Sequence, residues 1–149
     1  MVTVDSDFNT IDADLEAFRR HLRVKVRRTL RETIGPGVGG PAFHIVETLV
    51  ARGPLSPSDL ASALEVRTST MATQLNRLEE LGWVRREAAA LGTNRVLVSV
   101  TAAGRAAFGR YVELRRIALA DVLSPLAPEQ VIALAQALHA WVNAVGDPK

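Results

Sequence analysis

The fold is decided by the stretch "LEVRTSTMATQLNRLEELGWVRRE", residues 64–87. Apolar residues recur in it at steps of four and three, which predicts an amphipathic helix over residues 69–81; these residues are Met71, Leu75 and Leu78. Gly82 supplies a C-terminal stop, and the β-branched "WVRRE" that follows predicts a strand. The outward side chains of the helix are mostly short and polar, which raises the question of what this surface faces.

A second, shorter helix is predicted just before this one, over residues 57–64. Ser56 can cap it, Pro57 suits its first position, and Asp59 stands where a capping box places a carboxylate. Only "EVRT" separates the two helices. This spacing predicts a helix-turn-helix.

After the helix over residues 69–81, apolar residues recur at every second position. The segment "RVLVSV" places Val96, Val98 and Val100 on one face of a second strand, and "LGTN" can turn between the strands. A helix-turn-helix followed by a two-stranded hairpin is a winged helix, a unit whose second helix can enter a DNA major groove.

Longer helices are predicted on both sides of the winged helix. One apolar stripe predicts a helix over residues 11–34, "GPGVGGP" at residues 35–41 ends it, and a helix over residues 42–51 follows. Thr101 caps a helix over residues 102–123, and Pro128 opens a last helix that ends near Val145. The predicted fold class is mainly α with a small β-hairpin wing.

The composition limits the classes of function. The chain has 149 residues, 48% of them hydrophobic, so residues 1–149 are expected to form a single domain. It has no cysteine, and its net charge of +2 gives only weak overall attraction to a polyanion. No leader or membrane-spanning run is found, so we expect a cytoplasmic protein. His21, His44 and His139 lack the spacing of metal ligands, no catalytic motif is found, and neither a cofactor nor an enzymatic activity is predicted.

The outward face of the helix over residues 69–81 and its entrance could read DNA. Gln can pair with adenine and Arg with guanine, whereas hydroxyls reach phosphates. The residues of this face are Thr68, Ser69, Thr73, Gln74 and Arg77. On the helix alone, a polar surface that only faces solvent is an equally good interpretation.

The sequence resembles the MarR family of winged-helix transcription regulators. The resemblance extends over residues 11–145 and is carried by "GPLSPSDLASALEVRTSTMATQLNRLEELGWVRRE" through "VLVSVTAAGRAAF". Its most specific parts are "LEELGWVRR" and "LVSVTAAG", taken together at this spacing. It implies a homodimer formed by residues 11–34 and 102–146, with residues 42–101 as the DNA-binding region.

The resemblance also implies a repressor of a pseudo-palindromic operator, released when a small aromatic or anionic effector binds. Independent support for a dimer is that the first and last two helices carry longer apolar stripes than one winged helix needs to bury. In the last two helices these residues are Ile117, Leu119, Leu123, Val131, Leu134, Leu138, Trp141 and Val145. Side chains to inspect for an effector pocket are Arg20, Phe43, His44, Trp83 and Phe108, although each also suits ordinary packing or surface.

The wing departs from the family pattern, in which an Asp stands two residues before an Arg near the tip. Gly92 and Asn94 occupy these places, and Arg95 stands one residue later, on the opposite face of the strand. Minor-groove insertion is therefore an open question. The helix departs too, because Arg67 stands where the family often has Ser and Thr73 where it often has Arg.

We predict that the DNA-contacting residues are Arg67, Thr68, Ser69, Thr73, Gln74, Arg77, Arg86, Asn94 and Arg95. The hydroxyls of Thr68 and Ser69 are expected to hold phosphates, Gln74 and Arg77 to read bases, and Arg86 and Arg95 to anchor the wing.

Two features leave alternatives open. The basic run at residues 19–31 is explained equally well by a solvated face and by flanking phosphate contacts. Gly92, Asn94 and Thr73 also allow a winged-helix interaction module that has lost specific DNA reading, or, more remotely, a small-molecule carrier.

Overall fold

The computed structural model describes residues 4–34, 38–90, 92 and 94–146, and the side chains from Asp7 onward. Six helices and two strands follow one another in these residues: α1 (Val4–Thr33), α2 (Gly40–Arg52), α3 (Pro57–Ala63), α4 (Thr68–Glu80), β1 (Val84–Ala88), β2 (Val96–Val100), α5 (Ala102–Leu123) and α6 (Pro128–Val145). The predicted fold class, a mainly helical chain with one hairpin, is confirmed.

The starts of α1 and α2 differ from the prediction. Helix α1 begins at Val4, seven residues before the predicted start, so the acidic N-terminal segment is helical. Carboxylates are favoured near a helix N-terminus, where they face the positive end of the helix dipole. Helix α2 begins at Gly40 because Pro41 lies in the first turn, where a missing N–H costs no hydrogen bond. Part of the loop predicted at residues 35–41 lies outside the described residues.

The helix-turn-helix forms as predicted, with tight local contacts. Ser56 caps α3, and its Oγ accepts the Asp59 N–H at 3.1 Å. In the turn, Glu65 adopts φ 52°, a left-handed conformation that few non-glycine residues occupy. The Val66 N–H donates to the Ala61 carbonyl at 2.9 Å, so the chain reverses within a few residues and α4 starts at once.

The wing is an antiparallel pair with Val84 opposite Val100 and Arg86 opposite Val98. Leu55, just before α3, forms an isolated bridge with Val98, and the two residues exchange N–H···O bonds of 3.1 and 2.7 Å. Val98 is fully buried and Val100 half-buried, whereas Val96 is exposed. The inward face of β2 is therefore buried only at the end near α5. The predicted turn at residues 91–94 lies partly outside the described residues.

One compact unit of the chain, residues 26–115, contains the winged helix and its core. Met71, Leu75 and Leu78 of α4 are buried there, as the hydrophobic period predicted. The Phe43 ring stacks on Tyr111 at a centroid distance of 4.2 Å and lies 5.4 Å from the Trp83 ring. The inner face of α4 is thus buried in this core, whereas most of its other residues are exposed.

The other compact unit consists of the residues up to Lys25 and from Arg116 onward. It contains all of α6, whose bounds match the prediction and which has no buried residue. The assignment of residues 1–149 to a single domain, and of the outer helices to dimerisation, remains a prediction. Within the described residues, no helix is long and apolar enough to span a membrane.

Candidate nucleic-acid interface

The outward surface of α4 contains most of the residues that the sequence singled out. Thr68, Ser69, Thr73 and Arg77 are exposed on the helix. Gln74 is half-buried, which leaves it less accessible than an outward residue. Its position three residues from both Met71 and Arg77 places it at the edge of the buried face. The Thr73 hydroxyl donates to the Ser69 carbonyl at 3.1 Å, so its oxygen remains available as an acceptor.

The N-terminus of α4 has unused hydrogen-bond donors. Arg67 is its N-cap residue and provides no side-chain cap. The N–H groups of the first turn therefore have neither an intrahelical acceptor nor a cap. Thr68 and Ser69 of this first turn are exposed, and so is the preceding Arg67. This combination of N–H groups, hydroxyls and one cation suits an anionic oxygen.

The Arg86 side chain lies across α4. Its Nη1 donates to Glu79 Oε2 at 2.7 Å and its Nη2 to Asn76 Oδ1 at 2.9 Å. About a third of the side chain is exposed. The guanidinium thus links β1 to two successive turns of α4.

The outer end of the wing is linked to α3. Arg95 Nη2 donates to Asp59 Oδ2 at 3.3 Å, and both side chains are exposed. The Ser56 hydroxyl also donates to Asp59 Oδ2, at 2.6 Å, and this hydrogen bond, followed by the charge of Arg95, lowers the pKa of the Asp59 carboxyl. Asn94 is exposed next to this pair.

Most of the cations of the winged helix have acidic partners. Of the five arginines between residues 65 and 95, four form ion pairs: Arg77 with Glu80, Arg85 with Glu87, Arg86 with Glu79, and Arg95 with Asp59. Arg67 is the one among them with no carboxylate partner in the described part of the chain. It is therefore the cation of this surface that is most available to an external anion.

One residue of the surface was missed by the sequence interpretation. Asn76 is exposed on α4, seven residues after Ser69 and three after Thr73, and therefore on the same face. Its side-chain carbonyl accepts from Arg86, which leaves both amide N–H groups free to donate. The helical spacing alone could have found it.

The residues suggested for an effector pocket are dispersed. Phe43 and Trp83 are buried in the core of residues 26–115, and Phe108 packs against it. His44 is exposed on α2. Arg20 lines an open groove of about 770 Å³ in the other unit, between α1 and α5; the remaining lining residues are Ala17, Phe18, His21, Val24, Lys25, Asp121 and Val122.

The sequence of the winged helix is similar to that of known proteins. The MarR family model matches residues 40–89, from the start of α2 to just past β1. Over 91 residues the chain is 36% identical to the HTH-type transcriptional regulator PecS of Dickeya dadantii, a match that takes in 59% of this chain and 55% of PecS. The chain thus spans about half the length of this curated relative.

Solved structures extend the likeness to the outer helices. A MarR family protein from Mycobacterium tuberculosis, solved in complex with salicylic acid, is 30% identical, with a TM-score of 0.67 over 85% of this chain and 92% of that one. A MarR family protein from Bacillus stearothermophilus shares the fold with a TM-score of 0.78 at 19% identity, over 98% and 100% of the two chains. The family match over the winged helix and the near full-length relative lead to one conclusion: this chain belongs to the MarR family of transcription regulators.

Proposed function

We propose that the chain is a homodimeric, sequence-specific DNA-binding regulator that represses transcription from a pseudo-palindromic operator. In this proposal α4 enters the major groove, the wing follows the adjacent backbone, and a small aromatic or anionic effector releases the DNA. Two recognition helices related by a two-fold axis would meet half-sites about 34–36 Å apart, or a multiple of that distance.

The observation that supports DNA binding best lies at the N-terminus of α4, which has no side-chain cap, and at Arg67, which has no carboxylate partner among the described residues. A phosphate at this position would accept from first-turn N–H groups and from the guanidinium, and it would cap the helix. Thr68 and Ser69 would contribute their hydroxyls. Residues farther along the outward face of α4 would then contact the bases. These are Thr73, Asn76 and Arg77, with Gln74 at the edge of this face.

Homodimerisation is supported by the apolar surface of the outer helices. Along α6, Leu138 and Trp141 are exposed by 55% and 63%, and no residue of this helix is buried. Phe8 and Ile11 of α1 are also largely exposed. A second copy that covered these side chains would remove from water a surface that monomeric proteins rarely leave open.

An effector site is supported by the groove between α1 and α5. It combines apolar side chains such as Phe18 and Val24 with the cationic Arg20, and the His21 Nδ1–H donates to the Ala17 carbonyl at 2.8 Å. Lys25 and Asp121, which also line the groove, form an ion pair with each other, so a small aromatic acid would meet an apolar wall and the cation of Arg20. The M. tuberculosis relative was solved with salicylic acid, which makes salicylate the first compound to test.

The test is a selection of bound fragments from random duplex DNA, followed by fluorescence anisotropy with the best duplex and a scrambled control. We expect a pseudo-palindrome that binds at least about a thousandfold more tightly than the control. Arg67→Ala should weaken binding to every duplex and lower the salt dependence, because one phosphate contact is lost. Addition of salicylate should weaken the specific complex.

The matched control is Arg85→Ala, which removes an exposed arginine of the same unit that already pairs with Glu87 and Ser99. It should weaken binding much less than Arg67→Ala. Equal, salt-sensitive binding to the selected and scrambled duplexes, or none, would contradict the proposal and favour an interaction module without specific DNA reading.

A further inference from the structure

The Arg95 guanidinium at the outer end of the wing is held by a chain of polar contacts that starts in α3. Ser56 caps α3 and is buried, with 8% of its surface exposed. Its hydroxyl donates to Asp59 Oδ2 at 2.6 Å, and the same oxygen accepts from Arg95 Nη2 at 3.3 Å. Asp59 therefore connects the buried Ser56 hydroxyl to the exposed Arg95 guanidinium.

The backbone around Arg95 is fixed as well. Its carbonyl accepts the Ala89 N–H at 2.8 Å, which closes the hairpin one residue beyond the Ala88 and Val96 pair. Three residues along β2, the bridge between Leu55 and Val98 ties the strand to the segment before α3. Asp59 and Arg95 are 36 residues apart in sequence. Asp59 lies in α3 and Arg95 directly precedes β2, and the bridge between Leu55 and Val98 connects these two parts of the fold.

The guanidinium remains accessible despite this contact. Two thirds of the Arg95 side chain is exposed, and one of its nitrogens is used by Asp59. An arginine has five N–H donors in a planar fork, so the others can reach an anion while the contact with the carboxylate persists. A fixed guanidinium also loses less conformational entropy on binding than a free one.

We propose that Asp59 is a positioning residue, which holds Arg95 so that the free N–H groups of this guanidinium contact the DNA backbone beside the wing. This inference rests on the proposed function and deepens it. The direction of the mutational effect is diagnostic, because removal of an exposed carboxylate close to DNA would by simple charge repulsion tighten binding. A positioning carboxylate gives the opposite result.

The experiment uses the full chain and the selected duplex, and compares Asp59→Asn, Arg95→Ala and the double variant by anisotropy over a range of salt concentrations. Asp59→Asn should weaken binding by about threefold, the magnitude typical of one exposed ion pair. Arg95→Ala should weaken it further and reduce the slope of log affinity against log salt by about 0.9, as loss of one phosphate contact requires. The double variant should bind no more weakly than Arg95→Ala alone, because Asp59 supports binding only through Arg95 and its unpartnered carboxylate would otherwise repel the DNA.

Glu87→Gln is the matched control, since it also removes one exposed carboxylate from the winged helix, at a place where the partner is Arg85. It should leave binding unchanged or tighten it. Urea unfolding of each variant verifies that the fold persists. Tighter binding by Asp59→Asn, or additive effects in the double variant, would overturn the inference while specific binding by the unmodified chain upholds the proposed function. Absence of specific binding by the unmodified chain would overturn both.

Discussion

The packing of the first turn of α5 against Trp83 and the wing strand β2 can be tested by a single substitution at Gly104. Gly104 lies in the first turn of α5, where its N–H donates to Thr101 Oγ1 at 3.1 Å. A Cβ added there would lie 2.2 Å from the Trp83 carbonyl oxygen and 2.9 Å from Val100 Cγ2. The carbonyl cannot easily move away, because it accepts the Thr101 N–H at 2.9 Å.

Gly104→Ala should therefore destabilise the protein despite the higher helix propensity of alanine. Overpacking against a constrained neighbour costs about 1–3 kcal/mol, and loss of the hydrogen bond from Thr101 to Trp83 would add about 1 kcal/mol. The gain in propensity offsets at most about 1 kcal/mol, which leaves a net loss of about 1–3 kcal/mol. For a chain of this length the midpoint of thermal unfolding should fall by about 3–10 °C.

Gly109→Ala is the matched control, because Gly109 lies exposed in the same helix with nothing within 4 Å of an added Cβ. It should raise stability by up to about 1 kcal/mol. Both variants are unfolded in urea at one protomer concentration and followed by circular dichroism. A Gly104→Ala variant as stable as the Gly109→Ala variant would refute the close approach of α5 to the wing.

Three further outcomes are expected. Arg86→Met should lower the free energy of unfolding by about 1 kcal/mol, since the charge-assisted bond to Glu79 is lost, and an unchanged urea midpoint would contradict this role. Leu138→Glu should shift the chain from dimer to monomer in sedimentation velocity, whereas the exposed Gln136→Glu should not; a persistent dimer would exclude this face of α6 from the interface. The folded state lowers the pKa of Asp59 below its ordinary 3.8, so its ionised form adds stability that is present above that pH and lost as the pH falls through the folded value. The stability difference between the unmodified chain and Asp59→Asn should accordingly shrink below pH 3.8 in acid titrations. A difference that grows there would mean that folding raises the pKa of Asp59 instead of lowering it.

Local signals explain which helix ends could be predicted from the sequence. The bounds of α5 and α6 match because Thr101 and Pro128 act on their own neighbours: the Thr101 hydroxyl accepts from Gly104, and Pro128 occupies the first turn. The start of α1 has no capping signal of this kind. Val4 and Phe8 continue its apolar stripe at helical spacing, so the pattern does reach the first residue of the helix, although the prediction started at Ile11.

The candidate site was predicted only in part, because side-chain partners depend on tertiary geometry. The period of α4 identified its buried and outward faces. It could not reveal that Arg86 contacts Asn76 and Glu79 or that Arg95 contacts Asp59, since these partners are 7 to 36 residues apart. Such pairs follow from the strand register and from the position of α3, neither of which a single sequence specifies.

The pairing of arginines with acids also affects how alanine variants of this surface must be interpreted. Arg77 Nη1 lies 3.2 Å from Glu80 Oε2, and both residues are exposed on α4. Arg77→Ala removes a cation and leaves the Glu80 carboxylate without its partner on the surface proposed to face DNA. The measured loss then contains two parts: a lost contact and a new repulsion.

The two parts can be separated with a second substitution. A carboxylate about 7 Å from a phosphate is repelled by about 0.6 kcal/mol in water, before screening by salt. Arg77→Ala combined with Glu80→Gln should therefore bind the selected duplex about two- to threefold more tightly than Arg77→Ala alone, with the advantage vanishing at high salt. If the double variant binds no better at low salt, Glu80 lies too far from the DNA to matter, and the outward face of α4 does not meet the duplex at that turn.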